Sequence, residues 1–346
     1  MLQKWIEQVN AGHALEEDDA RVAVEQLSDE SIPVLLKADF LAALGKKGET
    51  PSEIAAFARA LRDKSIEPPL DAETRAREIL DVVGTGGDRL GTFNISTSAA
   101  LICAAAGVTV AKHGNRAVTS QAGSADVLQE LGIRIDLTPE EAVRSMKERN
   151  FAFFFAPNYH PAFKNIGPAR KLCAERGERT VFNLLGPLLN PVRPSAMLMG
   201  VPRPELCEPM ARVLQSLGVR RAMVVCGKIS GVGFLDEFST LGDNTIAEFY
   251  QERGFALSNL APTEFPLHQA LLADLLGGDK TANAKIVRDI FSGQERGPKR
   301  DAVMLNAAAA LFIAGKAKSL MEGWTLAEET IDSGKAQKKL VELAAK

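Results

Sequence analysis

Twice in this chain a short apolar run empties into a loop of glycines and hydroxyls, and a helix leaves from the far side. The first unit is the run 79–83, then Gly84-Thr85-Gly86-Gly87-Asp88 and Thr92-Phe93-Asn94-Ile95-Ser96-Thr97, then a helix over 97–106. The second is the run 108–111, then Lys112-His113-Gly114-Asn115-Arg116 with Thr119, Ser120, Gly123 and Ser124, then a helix over 125–131. Strands joined through helices pair in parallel, because parallel neighbours need a crossover connection. Phe151–Phe155 and the runs 196–201, 222–226 and 245–250 read as further strands of the same sheet. Ligands of such sheets sit in the loops at the carboxyl ends of strands, which is where both loops lie.

The first ~70 residues carry only helical spacing, without strand-like alternation. Thr50-Pro51-Ser52-Glu53 is a capping box with proline at the first helical position, opening a helix to about Arg62. Residues 32–44 form another helix, and Gly45-Lys46-Lys47-Gly48 reads as the break between the two. Thr138-Pro139-Glu140-Glu141 caps a further helix. Residues 160–175 read as helix followed by a polar turn, and two long helices, 301–314 and 326–345, close the chain. The expected fold is α/β: a small all-helical N-terminal domain (1–75) plus a large α/β domain (76–159 and 191–346) with a mostly parallel central sheet. Helices from about 160–190 are expected to pack onto the small domain.

Three segments carry chemistry. In the first loop, glycines let the backbone approach a ligand closely, and the helix starting near Ser96 directs free N–H groups and its positive dipole end outward. That combination suits a phosphate; it is neither a P-loop nor a dinucleotide fingerprint. The second loop adds Lys112 as a point charge and Arg116 as a fork, a pairing suited to pyrophosphate. Asp236-Glu237 is an adjacent acidic pair that can hold Mg²⁺ through one or two carboxylates. Each alone has a bland alternative: a tight turn, a solvated basic loop, an acidic surface like Glu16-Glu17-Asp18-Asp19.

Together the three segments resemble the anthranilate phosphoribosyltransferase family. The matching stretches are GTGGD…TFNIST from Gly84, KHGNRAVTS…GSAD from Lys112, RTVFNLLGPLLNP from Arg179, LDE at Leu235, and Asn306-Ala307-Ala308-Ala309-Ala310. The resemblance implies a nucleoside phosphorylase/phosphoribosyltransferase-like fold and a Mg²⁺-dependent transfer from phosphoribosyl pyrophosphate to anthranilate. It implies that Gly84, Gly87, Asp88, Thr92, Asn94, Ile95, Ser96 and Thr97 line the phosphoribosyl pyrophosphate site. Lys112, His113, Gly114, Asn115, Arg116, Ala117, Val118, Thr119 and Ser120, with Ser124, would form its other wall. Ser96, Asp236 and Glu237 would hold magnesium, and Gly84, Asn115 and Arg170 would contact anthranilate. His113 and the Gly186-Pro187 turn would lie beside that acceptor, with no residue assigned as a general base. The segment between Arg170 and Asn183 is longer than the family's common form, which leaves Arg176 and Arg179 as competing positions for the acceptor contact. A homodimer through the helical domain is also implied.

The bulk numbers fit this reading. A net charge of −3 over 346 residues opposes a chain built to neutralise nucleic-acid phosphates. No apolar run is long enough for a membrane span, and the N-terminus lacks the layout of a signal peptide. The four cysteines form no CxxC pair and read as reduced thiols of a cytoplasmic protein. Two competitors share the fold: a pyrimidine nucleoside phosphorylase, and a non-enzymatic relative that binds nucleic acid through surface charge. The KHGNR and LDE segments oppose the first, and the intact motifs and negative charge oppose the second.

Overall fold

The structure, a computed structural model, describes residues 1–117, 121–251 and 254–345. Four helices come first: α1 (Leu2–Asn10), α2 (Glu17–Ser28), α3 (Val34–Lys47) and α4 (Pro51–Asp63). Their apolar faces meet around Trp5, Phe40 and Phe57, whose rings lie 6.4 and 6.5 Å apart in turn. The Thr50 hydroxyl accepts the Glu53 N–H, and the Glu53 carboxylate accepts the Thr50 N–H. The same carboxylate also binds Leu15 N and, at 2.7 Å, Lys47 Nζ. The expected break over 45–48 begins only at its last residue. Helix α3 runs on to Lys47 and stops at Gly48, whose φ is +85°. Gly45 is a contact point instead: a Cβ there would overlap the Arg179 carbonyl.

That contact belongs to a segment inserted between the third and fourth strands. Its helix, Phe163–Glu175, packs on α2 and α3 and buries Ile166, Ala169 and Cys173 in the same apolar cluster as the four N-terminal helices. The helix starts three residues later than expected, because His160-Pro161 interrupts it after the short turn Ala156–Tyr159.

The sheet holds β1 (Ile79–Gly84), β2 (Thr109–Gly114), β3 (Phe151–Phe155), β4 (Ala196–Gly200), β5 (Arg221–Ile229), β6 (Gly233–Leu235), β7 (Asn244–Tyr250) and β8 (Gly254–Leu260). Its order is β3-β2-β1-β4-β5-β7-β8, with β6 paired to β5. β3 through β5 are parallel, and β6, β7 and β8 pair antiparallel. Leu80, Val82, Leu198 and Val225 face one core with the helices Ile95–Ala105 and Pro298–Ile313. Met197, Met199 and Val224 face the other, with the helix Cys207–Ser216 and the N-terminal helices. Edge strand β8, mostly exposed, lacks the apolar alternation that marks a strand in sequence. The closing stretch is two helices, Leu320–Asp332 and Lys335–Ala344, parted at Ser333-Gly334, where the spacing predicts one helix over 326–345.

Topology fixes where a ligand can sit. The chain lays β2 and β3 to one side of β1, then crosses to lay β4 and β5 on the other. The strand order reverses between β1 and β4, so a crevice opens beyond their carboxyl ends. Gly84 and Gly200, the last residues of those two strands, are register partners there.

Candidate active site

The acidic pair lies across that crevice. A Cβ at Gly84 would stand 2.9 Å from the Asp236 carbonyl oxygen, and one at Gly200 would overlap it. A Cβ at Gly227, in β5, would stand 2.6 Å from the Glu237 carbonyl. Three adjacent strands thus carry glycine where the 236–239 backbone crosses them, and a side chain at Gly200 would push the segment off the sheet.

The two carboxylates occupy anion positions. Asp236 Oδ2 accepts Thr85 Oγ1 at 3.0 Å, Gly87 N at 3.2 Å and Gly86 N. Glu237 Oε1 accepts Ser96 N at 3.1 Å, at the start of the helix Ile95–Ala105. Free helix-start and loop N–H groups attract anions, and here the protein's own acids fill both. Burial, with Asp88 and Glu237 close by, pushes Asp236 well above the carboxylate range. Burial likewise pushes Glu237 up to about 7, against the pull of Lys112 and Ser96.

Lys112 is buried, and its ammonium donates to the Val82 carbonyl. Burial lowers its pKa, while Asp81 and Glu237 favour its charge. The rest of the second loop is held by Asp126, which accepts Ala117 N and Gly123 N at 3.0 Å and Arg116 Nη1 at 2.9 Å. Arg116 therefore lies in an ion pair, with its guanidinium over Phe155. Asn94 bridges the loops, donating to the Ala122 carbonyl at 3.3 Å and accepting from Asn283 at 3.0 Å. Ile95 and Thr97 are buried, so their side chains serve the helix core. Thr92 is half-buried and bridges to Leu276. Gly114 and Ser124 touch, since a Cβ at Gly114 would overlap the Ser124 hydroxyl, and Asn115 is exposed. Val118, Thr119 and Ser120 lie outside the described residues.

From Lys112 the site continues into an aromatic row. His113 Nε2 faces His160 Nε2 at 3.2 Å, both rings buried. His160 stacks edge-on with Phe163, and Phe163 with Phe182, at 5.7 and 5.5 Å. The Arg170 guanidinium lies 5.5 Å from the Phe163 ring and 4.9 Å from that of Phe182. Among the described residues, no carboxylate pairs with Arg170. Arg176, by contrast, pairs with Asp39 at 2.9 Å and with Glu178 at 3.8 Å. Arg179 is exposed, its carbonyl against Gly45. The residues after Arg170 carry the helix on to Glu175 and form its exit turn, and Arg170 lies beside the rings.

Two family models match the chain: a glycosyl transferase family helical bundle domain over residues 3–65, and a glycosyl transferase family a/b domain over residues 76–337. An anthranilate phosphoribosyltransferase of Petrotoga mobilis is 45% identical over 99% of this chain and 96% of that one. The chain belongs to the anthranilate phosphoribosyltransferase family. Among solved structures, the family's enzyme from Thermus thermophilus matches with a TM-score of 0.87 and 42% identity, covering 98% of each chain. The Saccharomyces cerevisiae enzyme, in complex with PRPP and Mg, matches with a TM-score of 0.86 and 28% identity over 99% of this chain and 96% of that one. Gly200, Gly227, His160 and Asn283 escaped the sequence reading, and Asp126 stood in a matched stretch without a role. The glycines had a readable signal, since β4, like β1, is an apolar run that ends in glycine. His160 had none: its partner lies 47 residues away.

Proposed function

We infer that the protein transfers the phosphoribosyl group of phosphoribosyl pyrophosphate to the amine of anthranilate, with Mg²⁺, releasing pyrophosphate, as its family does in tryptophan biosynthesis. The observation that carries this reading is the filling of the loop and helix-start N–H groups by Asp236 and Glu237. An anion-shaped cradle held by acids that a cation would attract suits a ligand bringing phosphates and metal together.

In this reading Gly84, Gly87, Asp88, Thr92, Asn94 and Ser96, with residues 112–117 and Ser124, receive the phosphates and ribose. Ile95 and Thr97 contribute through the helix start. Asp236, Glu237 and Ser96 would hold the metal. The donor set fits: three acids lie close together, two of them buried, and a divalent cation would relieve their repulsion. Among the described residues no group of three or more His, Cys, Asp or Glu is placed to hold a metal ion by itself; Mg²⁺ bound through one or two carboxylates takes its other ligands from water and substrate oxygens. When bound, Mg²⁺ neutralises charge building on the pyrophosphate.

The chain's own groups orient and stabilise. Lys112, buried beside Glu237, would favour the departing negative charge electrostatically. Arg170, held against two rings, presents its fork to the acceptor carboxylate, while Gly84 and Asn115 bound the acceptor on the donor side. An aromatic amine is neutral at pH 7, so orientation dominates and no covalent intermediate forms.

The division of the chain belongs to the same reading: 1–75 with the helices of 160–190 as one domain, 76–159 and 191–346 as the other. The same reading takes the helical face as the homodimer surface, supported by Val34 and Leu35, 40% and 55% exposed at the start of α3. Leu35→Glu should halve the mass seen by light scattering; an unchanged mass rejects that surface. No helix among the described residues is long and apolar enough to cross a membrane; the reading takes the enzyme as cytoplasmic. The deciding assay is loss of anthranilate fluorescence on adding the protein, Mg²⁺ and phosphoribosyl pyrophosphate; no loss with folded protein rejects the function.

A further inference from the structure

The segment Asn306-Ala307-Ala308-Ala309-Ala310 has no part in the site as built so far, yet one of its side chains reaches the backbone beside the acidic pair. Phe238 N donates to Asn306 Oδ1 at 2.9 Å, and Asn306 Nδ2 donates back to the Phe238 carbonyl at 3.0 Å. The second Nδ2 hydrogen goes to the Ala302 carbonyl at 2.9 Å. The amide thus holds both polar groups of the residue that follows Glu237, as a neighbouring strand would. Asn306 and Phe238 are both fully buried. Only an amide offers one acceptor and two donors on a single planar group.

We propose that Asn306 is a positioning residue for the Asp236-Glu237 pair: it sets where the two carboxylates stand over the carboxyl ends of β1 and β4, and so the affinity for metal and phosphates. Two features make the hold rigid. The helix Pro298–Ile313 is buried on nearly every side, packed on the helices Ile95–Ala105 and Leu320–Asp332. Its approach to the latter is so close that a Cβ at Gly323 would overlap the Ala308 carbonyl. From the other side, Gly84, Gly200 and Gly227 seat the 236–239 backbone on the sheet. The segment is therefore seated by the absence of three side chains and clamped by the presence of one. This rests on the reading of Asp236 and Glu237 as the metal-holding pair.

A merely structural amide would lower stability when removed and leave ligand affinities alone. The discriminating measurement is calorimetric binding of phosphoribosyl pyrophosphate across a Mg²⁺ series, without acceptor or turnover, on protein verified as folded by circular dichroism. Asn306→Ala should raise the half-saturating Mg²⁺ concentration roughly tenfold, the scale of one buried hydrogen bond. Asn306→Asp keeps the size and the acceptor but loses the N–H donors. It should shift in the same direction, and it supplies the measurement if the alanine variant does not fold. Met304→Ala, on the same helix and buried in the core, should destabilise the protein without shifting the Mg²⁺ dependence. The proposal is overturned if the Asn306 variants titrate like the parent, or if Met304→Ala shifts as far. If Asp236→Asn with Glu237→Gln also titrates like the parent, the metal reading itself falls.

Discussion

The two ends of the crevice are built differently. On the proposed donor side, among the described residues, the glycine loop holds Asp236, the helix start holds Glu237, and Asp126 holds the second loop. On the proposed acceptor side Arg170 rests on two phenyl rings, with no carboxylate partner among the described residues. In the proposed reading a ligand carrying several phosphates needs many N–H groups aimed at once, and the protein's own acids keep those groups aimed. A single carboxylate needs only one fork, and stacked rings keep that fork oriented without consuming its N–H donors.

The largest effect should come from emptying the donor side of its acids. Asp236→Asn with Glu237→Gln should cut turnover at least ~100-fold and abolish its Mg²⁺ dependence. Retained magnesium dependence would mean the two acids are not the metal site. Next comes the seat beneath them. Gly200→Ala places a carbon on the Asp236 carbonyl and should lower donor-side affinity about tenfold or more, with anthranilate affinity less affected. Unchanged donor affinity in a folded Gly200→Ala protein would dissolve the idea of a glycine seat.

The acceptor side should respond selectively. Arg170→Ala should raise the Michaelis constant for anthranilate roughly tenfold to a hundredfold, with little change for phosphoribosyl pyrophosphate. Arg176→Ala removes the ion pair to Asp39 and should leave both constants near normal, because exposed pairs contribute little. If Arg176→Ala or Arg179→Ala raises the anthranilate constant and Arg170→Ala does not, the acceptor end lies elsewhere.

The smallest effect is on stability. Burial, the neighbouring His160 and Arg62 push His113 down to about 3; burial and Arg62 push His160 down to about 4. An unfolded imidazole takes up its proton near ~6.5. As pH falls below that, the unfolded chain binds protons that the native one refuses, so stability is full above ~6.5 and declines toward pH 4. His160→Gln should flatten the decline in urea midpoint between pH ~7.5 and ~5.5, the span that brackets the unfolded value. An equal slope in the variant would show that the pair does not govern it.

The sequence announced what is local and hid what is distant. Both glycine loops, the capping boxes at Thr50 and Thr138, and β3 could be read because each is written in neighbouring residues. Gly45 misled because a glycine that makes room looks the same in sequence as a glycine that ends a helix. The pairing of His113 with His160, and of Phe238 with Asn306, joins residues 47 and 68 positions apart. No periodicity records such meetings; the sheet order creates them. β8 went unread because an exposed edge has little apolar face to display.

The anchoring of α3 has a consequence in time. Lys37, buried within that helix, donates its ammonium to the carbonyls of Asp29 and, at 3.1 Å, Asn165. Arg62 donates to the Leu188 carbonyl. The first four helices leave the ribosome early, yet Asn165 and Leu188 are made 128 and 126 residues after the cations they receive. Until then both cations and an apolar face lack part of their cover. The nascent amino-terminal part should therefore gain its full cover only after the chain has built three strands of its sheet. Protease sensitivity of chains halted before and after Asn190 would time that completion.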